Sequence, residues 1–407
     1  MKGLGVSLIA RIQRDTVRTG FDGRTCWVHC RAGTIPVGGA GDNRLPIVVM
    51  TMQSLLLTGC DVFYELNEMR TDDLGASWTG PIPHPETLGR RRDPDGLETV
   101  ICDATPRWHA ATGRLLVTGQ TAAYRGDRLA PDPRPRRTAY SVYDPISRRW
   151  SAWDTMVMPD DENRFFSCGA GSAQRFDLEN GDILLPIYFC SRVEAARKNH
   201  RYRSAVARCR FDGRRLLYVE HGTELEAPDP RGMAEPSVTR FQGRFYLTLR
   251  NDVRGYVTRG DDGLHFEPPR PWCFDDGTEL GNYNTQQHWV VHSDALFLVY
   301  TRRGLNNDHV FRHRAPLLIA EVDPERLCVI RSAERVLVPE RGARLGNFAV
   351  TEVTPEETWV TVSEWMQTTG PNPHDFTVCQ RYGSDNAVFA ARIVWARPNR
   401  TSGLFLG

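Results

Sequence analysis

Two segments of the sequence combine polar, aromatic and histidine side chains at an unusual density. They are residues 281–289 and 306–314, and their candidate site residues are Tyr283, Gln287, His288, His309, Arg312 and Arg314. Such side chains can hydrogen-bond sugar hydroxyls, and tyrosine and histidine can also transfer protons. We therefore predict a sugar site in which Tyr283, His288 and His309 are candidate acid/base groups.

A third segment ends in an arginine that is well placed to meet a ligand. In Phe245–Leu249, apolar residues alternate with Tyr246 and Thr248, and Arg250 falls on the face of those two residues. If this strand lies at the open centre of the fold, Arg250 faces water and ligand. Guanidinium groups bind carboxylates through two parallel hydrogen bonds, so an acidic ligand is expected there.

Composition excludes several classes of partner. The chain has 407 residues with 51 basic and 50 acidic side chains, so its charge is balanced and we expect neither nucleic acid nor an anionic membrane as a partner. No stretch reaches the roughly 20 apolar residues of a membrane span. No signal peptide is visible near Met1, which predicts a cytoplasmic protein, or a secreted one if a leader precedes this sequence.

Ten cysteines are scattered along the chain. Cys26 and Cys30 lie four residues apart with His29 between them, which is one arrangement that metal sites use. No second pair of ligands has matching spacing, so buried free thiols are the favoured interpretation. We expect no metal and no cofactor.

An internal repeat indicates the architecture that carries these residues. Short strand-like runs such as Leu45–Met52 and Leu317–Val322 alternate with turn signals, and no sustained helical periodicity occurs. The segment Thr71–Trp78 fits the Asp-box pattern Ser/Thr-x-Asp-x-Gly-x-x-Trp, in which the aspartate caps a hairpin turn. This copy contributes Asp73, and looser copies place aspartates at Asp144, Asp212, Asp261 and Asp323.

This repeat predicts an all-β, six-bladed β-propeller formed by residues 1–407 as a single domain. Five blades carry the aspartates, and the strands between Asn347 and Val394 supply a sixth. The N-terminal run Val6–Ile12 is expected to complete the last blade and close the ring. Asp127–Arg137, rich in proline and arginine, is expected to be an insertion loop.

With these features the chain resembles the sialidase (neuraminidase) superfamily. The similarity is strongest at Gly232–Val238 and Phe245–Asn251, where a glutamate, Glu235, precedes an arginine, Arg250, by 15 residues. The segments Gly181–Tyr188 and Cys102–Leu115 are similar to the third and second blades of that family. The resemblance implies a glycoside hydrolase that acts on the terminal acidic sugar of a glycan, with an acidic oligosaccharide or glycan as its partner.

The resemblance also implies roles for individual residues. Three arginines of sialidases hold the substrate carboxylate, and the matching positions here are Arg31, Arg250 and Arg314, with Arg312 as a competitor for the last. Asp61 matches the acid/base aspartate. Two further residues complete the implied site. Asp103 is a substrate contact, and Glu235 is a base or a partner of an arginine.

One departure from the family pattern concerns the nucleophile. Sialidases carry a nucleophilic tyrosine in the last blade, and the corresponding segment here, Leu345–Val350, has Phe348 instead. If this alignment holds, the covalent mechanism lacks its usual nucleophile, and Tyr283 is a candidate replacement. Two alternatives therefore stay open: a polysaccharide lyase that cleaves at a uronic acid, and a non-catalytic carbohydrate-binding propeller.

Overall fold

The computed structural model describes residues 7–59 and 61–401, and it forms a six-bladed β-propeller, as the sequence predicts. An N-terminal strand, β1 (Ile9–Arg18), precedes the first blade. Blade one contains β2 (Thr25–Ile35), β3 (Ile47–Leu56), β4 (Phe63–Thr71) and β5 (Thr79–Pro83). Blade two contains β6 (Arg91–Arg92), β7 (Glu98–His109), β8 (Arg114–Tyr124), β9 (Thr138–Asp144), β10 (Arg149–Trp150) and β11 (Asp154–Thr155).

The remaining blades repeat the same antiparallel order. Blade three contains β12 (Ser167–Gly169), β13 (Phe176–Asp177), β14 (Ile183–Cys190), β15 (Arg203–Phe211) and β16 (Leu216–His221). Blade four contains β17 (Ala234–Phe241), β18 (Arg244–Arg250), β19 (Tyr256–Gly260) and β20 (Arg270–Pro271). Blade five contains β21 (His288–His292), β22 (Ala295–Tyr300), β23 (Leu317–Asp323), β24 (Cys328–Val329) and β25 (Arg335–Val338). Blade six contains β26 (Ala349–Thr354), β27 (Glu357–Ser363) and β28 (Val388–Trp395).

The fourth strand of blade six comes from the other end of the chain. Strand β1 pairs antiparallel with β28, from Ile9 opposite Trp395 to Arg18 opposite Val388. This pairing closes the ring as predicted, although Val6 lies outside the described residues. Because the two ends of the chain share one blade, this pairing holds the ring closed, and the blades keep only the short outer strand edges that are typical of propellers.

The predicted aspartate turns occupy one equivalent position in blades one to five, at the ends of β4, β9, β15, β19 and β23, where the chain turns toward the outermost strand. Asp144, Asp212 and Asp323 each accept two hydrogen bonds from backbone N–H groups two and three residues later. In blade four the aspartate that makes these bonds is Asp262, not Asp261 as the sequence pattern suggested. Blade six lacks such a turn because its fourth strand is β1.

Apolar side chains fill the interfaces between neighbouring blades. Blades five and six, for example, meet through a buried cluster that includes Val299, Leu317, Val360 and Ile393. Helical structure is limited to short connections: α1 (Pro85–Leu88), α2 (Arg192–Ala195), α3 (Phe376–Arg381), and 3₁₀ turns at Ala110–Thr112, Phe311–His313 and Arg331–Ala333. Within residues 7–59 and 61–401, no helix has the length and apolar character that crossing a membrane requires.

Candidate functional site

A ring of six residues with positive φ surrounds one end of the propeller axis. Each blade contributes one residue, located in or next to its innermost strand, and the φ angles lie between 46° and 57°. These residues are His29, Asp103, Ser172, Glu235, Asn284 and Asn347. Non-glycine residues rarely adopt this conformation, and strained backbone of this kind concentrates at functional sites. Three of the residues sit at bulges, where the pairing of β2, β7 and β17 with the next strand shifts register.

Arg31 lies on the axis, fully buried, and connects four blades. Its guanidinium donates hydrogen bonds to the backbone oxygens of Asn347 and Asp103, and to the hydroxyl of Ser172 at 2.6 Å. The carboxylate of Asp103 lies 3.4 Å from Arg31 and 3.0 Å from His29. Although burial opposes ionisation, these partners hold the pKa of Asp103 far below its ordinary value. The charge of Arg31 is therefore compensated within the protein.

Glu235 and Arg250 form an ion pair at the mouth of the axis. The other terminal nitrogen of Arg250 donates to Asn284 Oδ1 at 2.7 Å and to Asp252 at 3.2 Å. Glu235 Oε2 is buried and has no hydrogen-bond partner among residues 7–59 and 61–401. Arg250 thus holds one oxygen of Glu235, and the second oxygen retains its capacity to accept a proton or a hydrogen bond.

Three further arginines at the mouth have no acidic partner in the part of the chain that the structure describes: Arg312, Arg314 and Arg344. Arg314 is only 3% exposed and donates one hydrogen bond, to the backbone oxygen of Asn284. Burial, Arg344 and Arg250 lower the pKa of Arg314 well below its ordinary value. Arg312 lies at the exposed surface of the mouth, and its pKa is lowered by burial of its head group and by Arg250. This cluster creates a positive potential that favours an anionic ligand.

Asp61 stands at the rim of the same mouth. Its side chain is exposed, and its charge interacts with those of Arg312 and Arg344. The hydroxyl of Tyr124 donates to the backbone oxygen of Asp61 at 2.7 Å and anchors the loop. Asp61 therefore lies within electrostatic range of the unpaired arginines, with its carboxylate open to solvent.

Tyr283 belongs to a chain of proton-transferring groups in blade five. Its hydroxyl lies 2.5 Å from His313 Nδ1, and His313 Nε2 lies 3.1 Å from the carboxylate of Asp308. Burial raises the pKa of Tyr283, although Arg303, Arg312 and Arg314 act in the opposite direction. The neighbouring candidate His309 instead pairs with Glu340 at 2.8 Å and stacks on Tyr382.

Two sequence candidates, His288 and Gln287, lie away from the open mouth. His288 is 1% exposed, and its ring nitrogens bond the hydroxyl of Ser237 at 2.9 Å and the backbone oxygen of Phe348 at 3.0 Å. Burial and the charge of Arg31 lower the pKa of His288 to about 3, so the ring is neutral at physiological pH. Gln287 is fully buried and hydrogen-bonds Thr248. These placements favour structural roles for both residues.

Phe348 is fully buried and packs edge-on against His288. Ahead of it, Gly346 adopts φ +153°, and a Cβ atom there would lie 3.2 Å from Arg314 Cδ and 3.3 Å from Thr285 Oγ1. Glycine at this position therefore allows the backbone of blade six to approach Arg314 closely. A narrow cleft beside it is lined by Arg314, Arg344, Gly346, Asn347, Ser363 and Trp365.

Sequence reasoning missed Arg344, Asn284 and Asp252. Arg344 belongs to a connection with no recognisable motif, and among the many arginines of this chain it carries no distinguishing signal. Asn284 lies inside the polar segment already noted, and its amide and backbone oxygens contact Arg250 and Arg314. Asp252 could have been predicted from its position, because it follows the candidate Arg250 by two residues.

Comparison with known proteins supports the fold. No family model matches the sequence, and no curated protein matches it. Among solved structures, a protein of unknown function from Dyadobacter fermentans aligns with a TM-score of 0.60 at 12% identity, covering 95% of this chain and 100% of that one. The Hadza microbial sialidase Hz136 aligns with a TM-score of 0.60 at 12% identity, covering 94% of this chain and 68% of that one.

A Trypanosoma rangeli sialidase in complex with a difluorinated nononic acid is a further structural neighbour. It aligns with a TM-score of 0.58 at 11% identity, and the alignment covers 95% of this chain but 59% of that one. The chain therefore shares the propeller fold of sialidases. At this level of identity the similarity concerns the fold and leaves the activity to be argued from the site.

Proposed function

We propose that the protein is a glycoside hydrolase of sialidase type that acts on a terminal sugar bearing a carboxylate. The observation that carries this proposal is the group of three arginines without acidic partners, Arg312, Arg314 and Arg344, next to Glu235 and Asp61. Two of them, Arg314 and Arg344, are buried. Burying uncompensated guanidinium groups is costly, and a protein retains them where a ligand supplies the missing negative charge. A sugar carboxylate on Arg314 supplies it.

The structure divides the expected arginine set into two kinds. Arg31 and Arg250 already bind carboxylates of the protein, Asp103 and Glu235, whereas Arg314 binds only a backbone oxygen. We therefore assign the substrate carboxylate to Arg314, with Arg312 at its solvent side. Arg250 is a positioning residue that orients Glu235, and Arg31 is a structural link across the axis.

The proposed chemistry is a single displacement. Phe348 has no nucleophilic oxygen, so a water molecule attacks the anomeric carbon while Glu235, through its unpartnered Oε2, accepts a proton from that water. The bond from the anomeric carbon to the leaving oxygen breaks, and Asp61 donates a proton to that oxygen. One proton enters Glu235 and one leaves Asp61, and this mechanism inverts the configuration of the anomeric carbon.

A uronate lyase is the second candidate, and one contact favours it. A lyase needs a base that removes the C5 proton of a uronic acid and an acid that protonates the leaving oxygen. The pair formed by Tyr283 and His313, 2.5 Å apart and within range of Arg312 and Arg314, has the groups for both steps. A binding propeller without catalysis remains the third candidate.

Incubation of the purified protein with acidic glycosides distinguishes these functions. Release of a free acidic sugar without new near-ultraviolet absorbance is expected. That release should fall by about a hundredfold or more in Glu235→Gln, since general base catalysis contributes roughly 10²–10⁴-fold. Glu357→Gln, on the far side of blade six and paired with Arg392, is the matched control and should retain activity. An unsaturated, ultraviolet-absorbing product lost in Tyr283→Phe would select the lyase. Binding without any product would select the binding propeller.

A further inference from the structure

A cavity of about 400 Å³ lies against the sheet of blade two, outside the axial mouth. Its volume falls in the range of roughly 300–1,000 Å³ that small-molecule sites occupy. We call it the blade-two cavity, and the lining residues that bear most on its chemistry are Arg91, Asp93, Thr99, Ala123, Asp154 and Thr155. These residues belong to β6, β7, β8 and β11 and to the turn between β6 and β7.

The walls of the cavity form because two distant edges of this sheet meet. The sheet order runs from β10 through β9, β8 and β7 to β6, and β11 pairs with β9, so β6 and β11 lie on opposite sides. The guanidinium of Arg91 in β6 nevertheless lies over the ring of Trp153, with its Cζ atom 3.9 Å from the ring centroid, and it donates a hydrogen bond to the backbone oxygen of Trp153. The indole N–H of Trp153 donates to the backbone oxygen of Gly89 at 2.9 Å. The sheet therefore curls around the cavity, and the mouths of closed sheets are frequent ligand sites.

Several polar groups of the cavity retain hydrogen-bonding capacity. The hydroxyls of Thr99 and Thr155 make no hydrogen bond within residues 7–59 and 61–401. Over the same residues, the carboxylates of Asp93 and Asp154 form no ion pair, and each accepts one backbone N–H. The guanidinium of Arg91 likewise has no ion pair there. This mixture of donors and acceptors matches the hydroxyl groups of a sugar.

The charge of the blade-two cavity differs from that of the axial mouth. Two further arginines line the cavity, and both have acidic partners. Arg92 pairs with Glu98 at 2.6 Å. Arg137, from the segment predicted as an insertion loop, pairs with Glu162 at 3.0 Å. The other charged groups of the lining are one guanidinium and two carboxylates, so the cavity has no excess of positive charge and favours a neutral ligand.

The cavity lies on the same side of the propeller as the axial mouth. The residues with positive φ mark the mouth end of the innermost strands, and on β7 Thr99 precedes the ring residue Asp103 by four positions. At roughly 3.3 Å per residue this is about 13 Å along the strand. On β8, Gln120 donates to Asp103 at 3.0 Å, and Ala123 lines the cavity three residues later. A glycan of a few sugars at the mouth therefore passes close to the cavity.

We propose that the blade-two cavity is a second carbohydrate site, which binds a neutral mono- or disaccharide and is separate from the axial mouth. Arg91, Asp154 and Thr99 hydrogen-bond the sugar hydroxyls, and Ala123 and Pro135 contact its apolar face. The neutral sugar belongs to the glycan whose acidic terminal sugar occupies the mouth. This last point rests on the proposed function, whereas binding at the cavity does not.

Saturation-transfer difference NMR on the intact protein tests the site with four neutral disaccharides: lactose, N-acetyllactosamine, maltose and cellobiose. At least one should bind with a Kd in the millimolar range or tighter. Ala123→Leu fills part of the cavity and should weaken binding by at least about tenfold. Thr99→Val keeps the side-chain volume, removes one hydroxyl and should weaken binding by about two- to tenfold. Absence of binding for all four sugars would overturn the proposal, as would unchanged affinity in either folded variant.

Two controls locate the binding. Thr16→Val in β1 of blade six is matched to Thr99→Val, because the hydroxyl of Thr16 also makes no hydrogen bond within the described part of the chain. This variant should bind the disaccharide within about twofold of the wild-type affinity, and so should Glu235→Gln. A tenfold loss in Thr16→Val would show that the binding does not depend on the cavity. The same loss in Glu235→Gln would place the neutral sugar in the axial mouth, and either loss refutes the proposal.

Two acidic glycosides separate this inference from the proposed function. One is the methyl glycoside of the acidic sugar, and the other carries the same sugar on the neutral disaccharide that binds. A kcat/KM at least about tenfold higher for the second, lost in Ala123→Leu, supports both ideas. Equal kcat/KM for the two refutes a shared glycan and leaves the hydrolase standing. Hydrolysis of neither, with disaccharide binding still weakened in Thr99→Val, refutes the hydrolase alone.

Discussion

Replacing two arginines of the mouth by lysine should give opposite patterns of stability and activity. Arg250 binds Glu235, Asn284 and Asp252, whereas Arg314 binds only the backbone oxygen of Asn284. Lysine keeps the positive charge in both cases but loses the planar fork, so it makes one point contact. Arg250→Lys therefore breaks internal bonds of the protein, and Arg314→Lys breaks mainly the bonds to a ligand.

The magnitudes follow from the number of bonds lost. An ammonium at position 250 keeps at most one of the three partners, so two hydrogen bonds are lost. Hydrogen bonds to charged groups contribute roughly 1.5–3 kcal/mol each. The free energy of unfolding should therefore fall by about 3 kcal/mol. An unfolding entropy of about 2.1 cal/mol/K per residue, over 407 residues, converts this into a drop in Tm of about 3–4 °C. Arg314→Lys loses no acidic partner, and its Tm should change by about 1 °C or less.

Activity separates the two sites further. Loss of a bidentate carboxylate contact at Arg314 should lower kcat/KM by about ten- to a hundredfold at nearly constant Tm. Calorimetric melting and initial rates, measured on the same purified samples of each variant, provide both quantities. If Arg314→Lys keeps full kcat/KM, the carboxylate does not bind Arg314. If Arg250→Lys melts like the wild-type protein, its ion pair with Glu235 does not form in solution.

Three other perturbations test separate parts of the account. Arg344→Met should raise the Tm of the ligand-free protein by about 1–3 °C, because removing a buried uncompensated charge outweighs the lost stacking on Trp365; a lower Tm in a thermal melt would contradict this. Because His288 is neutral in the fold down to a pKa of about 3 but titrates near 6.5 when unfolded, the unfolded state binds one more proton between these values. The contribution of His288 to stability should therefore fall by about 1.4 kcal/mol for each pH unit between 6.5 and about 3. Urea titrations of His288→Gln should lack this component. Gly222→Ala places a Cβ atom 1.9 Å from the backbone oxygen of Leu264. This clash should lower the Tm by several degrees. An unchanged Tm would show that the turn of blade four can shift.

The fold was predictable because its signals are local. Each aspartate turn is a short segment whose side chain bonds its own backbone, so the pattern survives in the sequence blade after blade. The same locality limits precision, because Asp261 and Asp262 are adjacent and only the structure identifies Asp262 as the residue that caps the turn. The sixth blade lacks this turn for a topological reason, since its outer strand is β1.

The candidate site was less predictable because its residues meet only through the ring. Whether an arginine is compensated depends on side chains from other blades, as with Arg31 and Asp103, 72 residues apart. Arg344 was missed for the same reason, since its partner ring, Trp365, and its neighbour, Arg312, are distant in sequence. Similarly, nothing in the sequence distinguishes the buried His288 from the accessible His313.

The most direct test of the central claim is a crystal structure with a bound acidic sugar, such as the sialidase inhibitor DANA, which is present in one structural neighbour. The account predicts the sugar carboxylate within hydrogen-bond distance of the terminal nitrogens of Arg314, with Glu235 facing the anomeric carbon. A sugar bound away from the axial mouth, or one at the mouth whose carboxylate points away from Arg314, would contradict it.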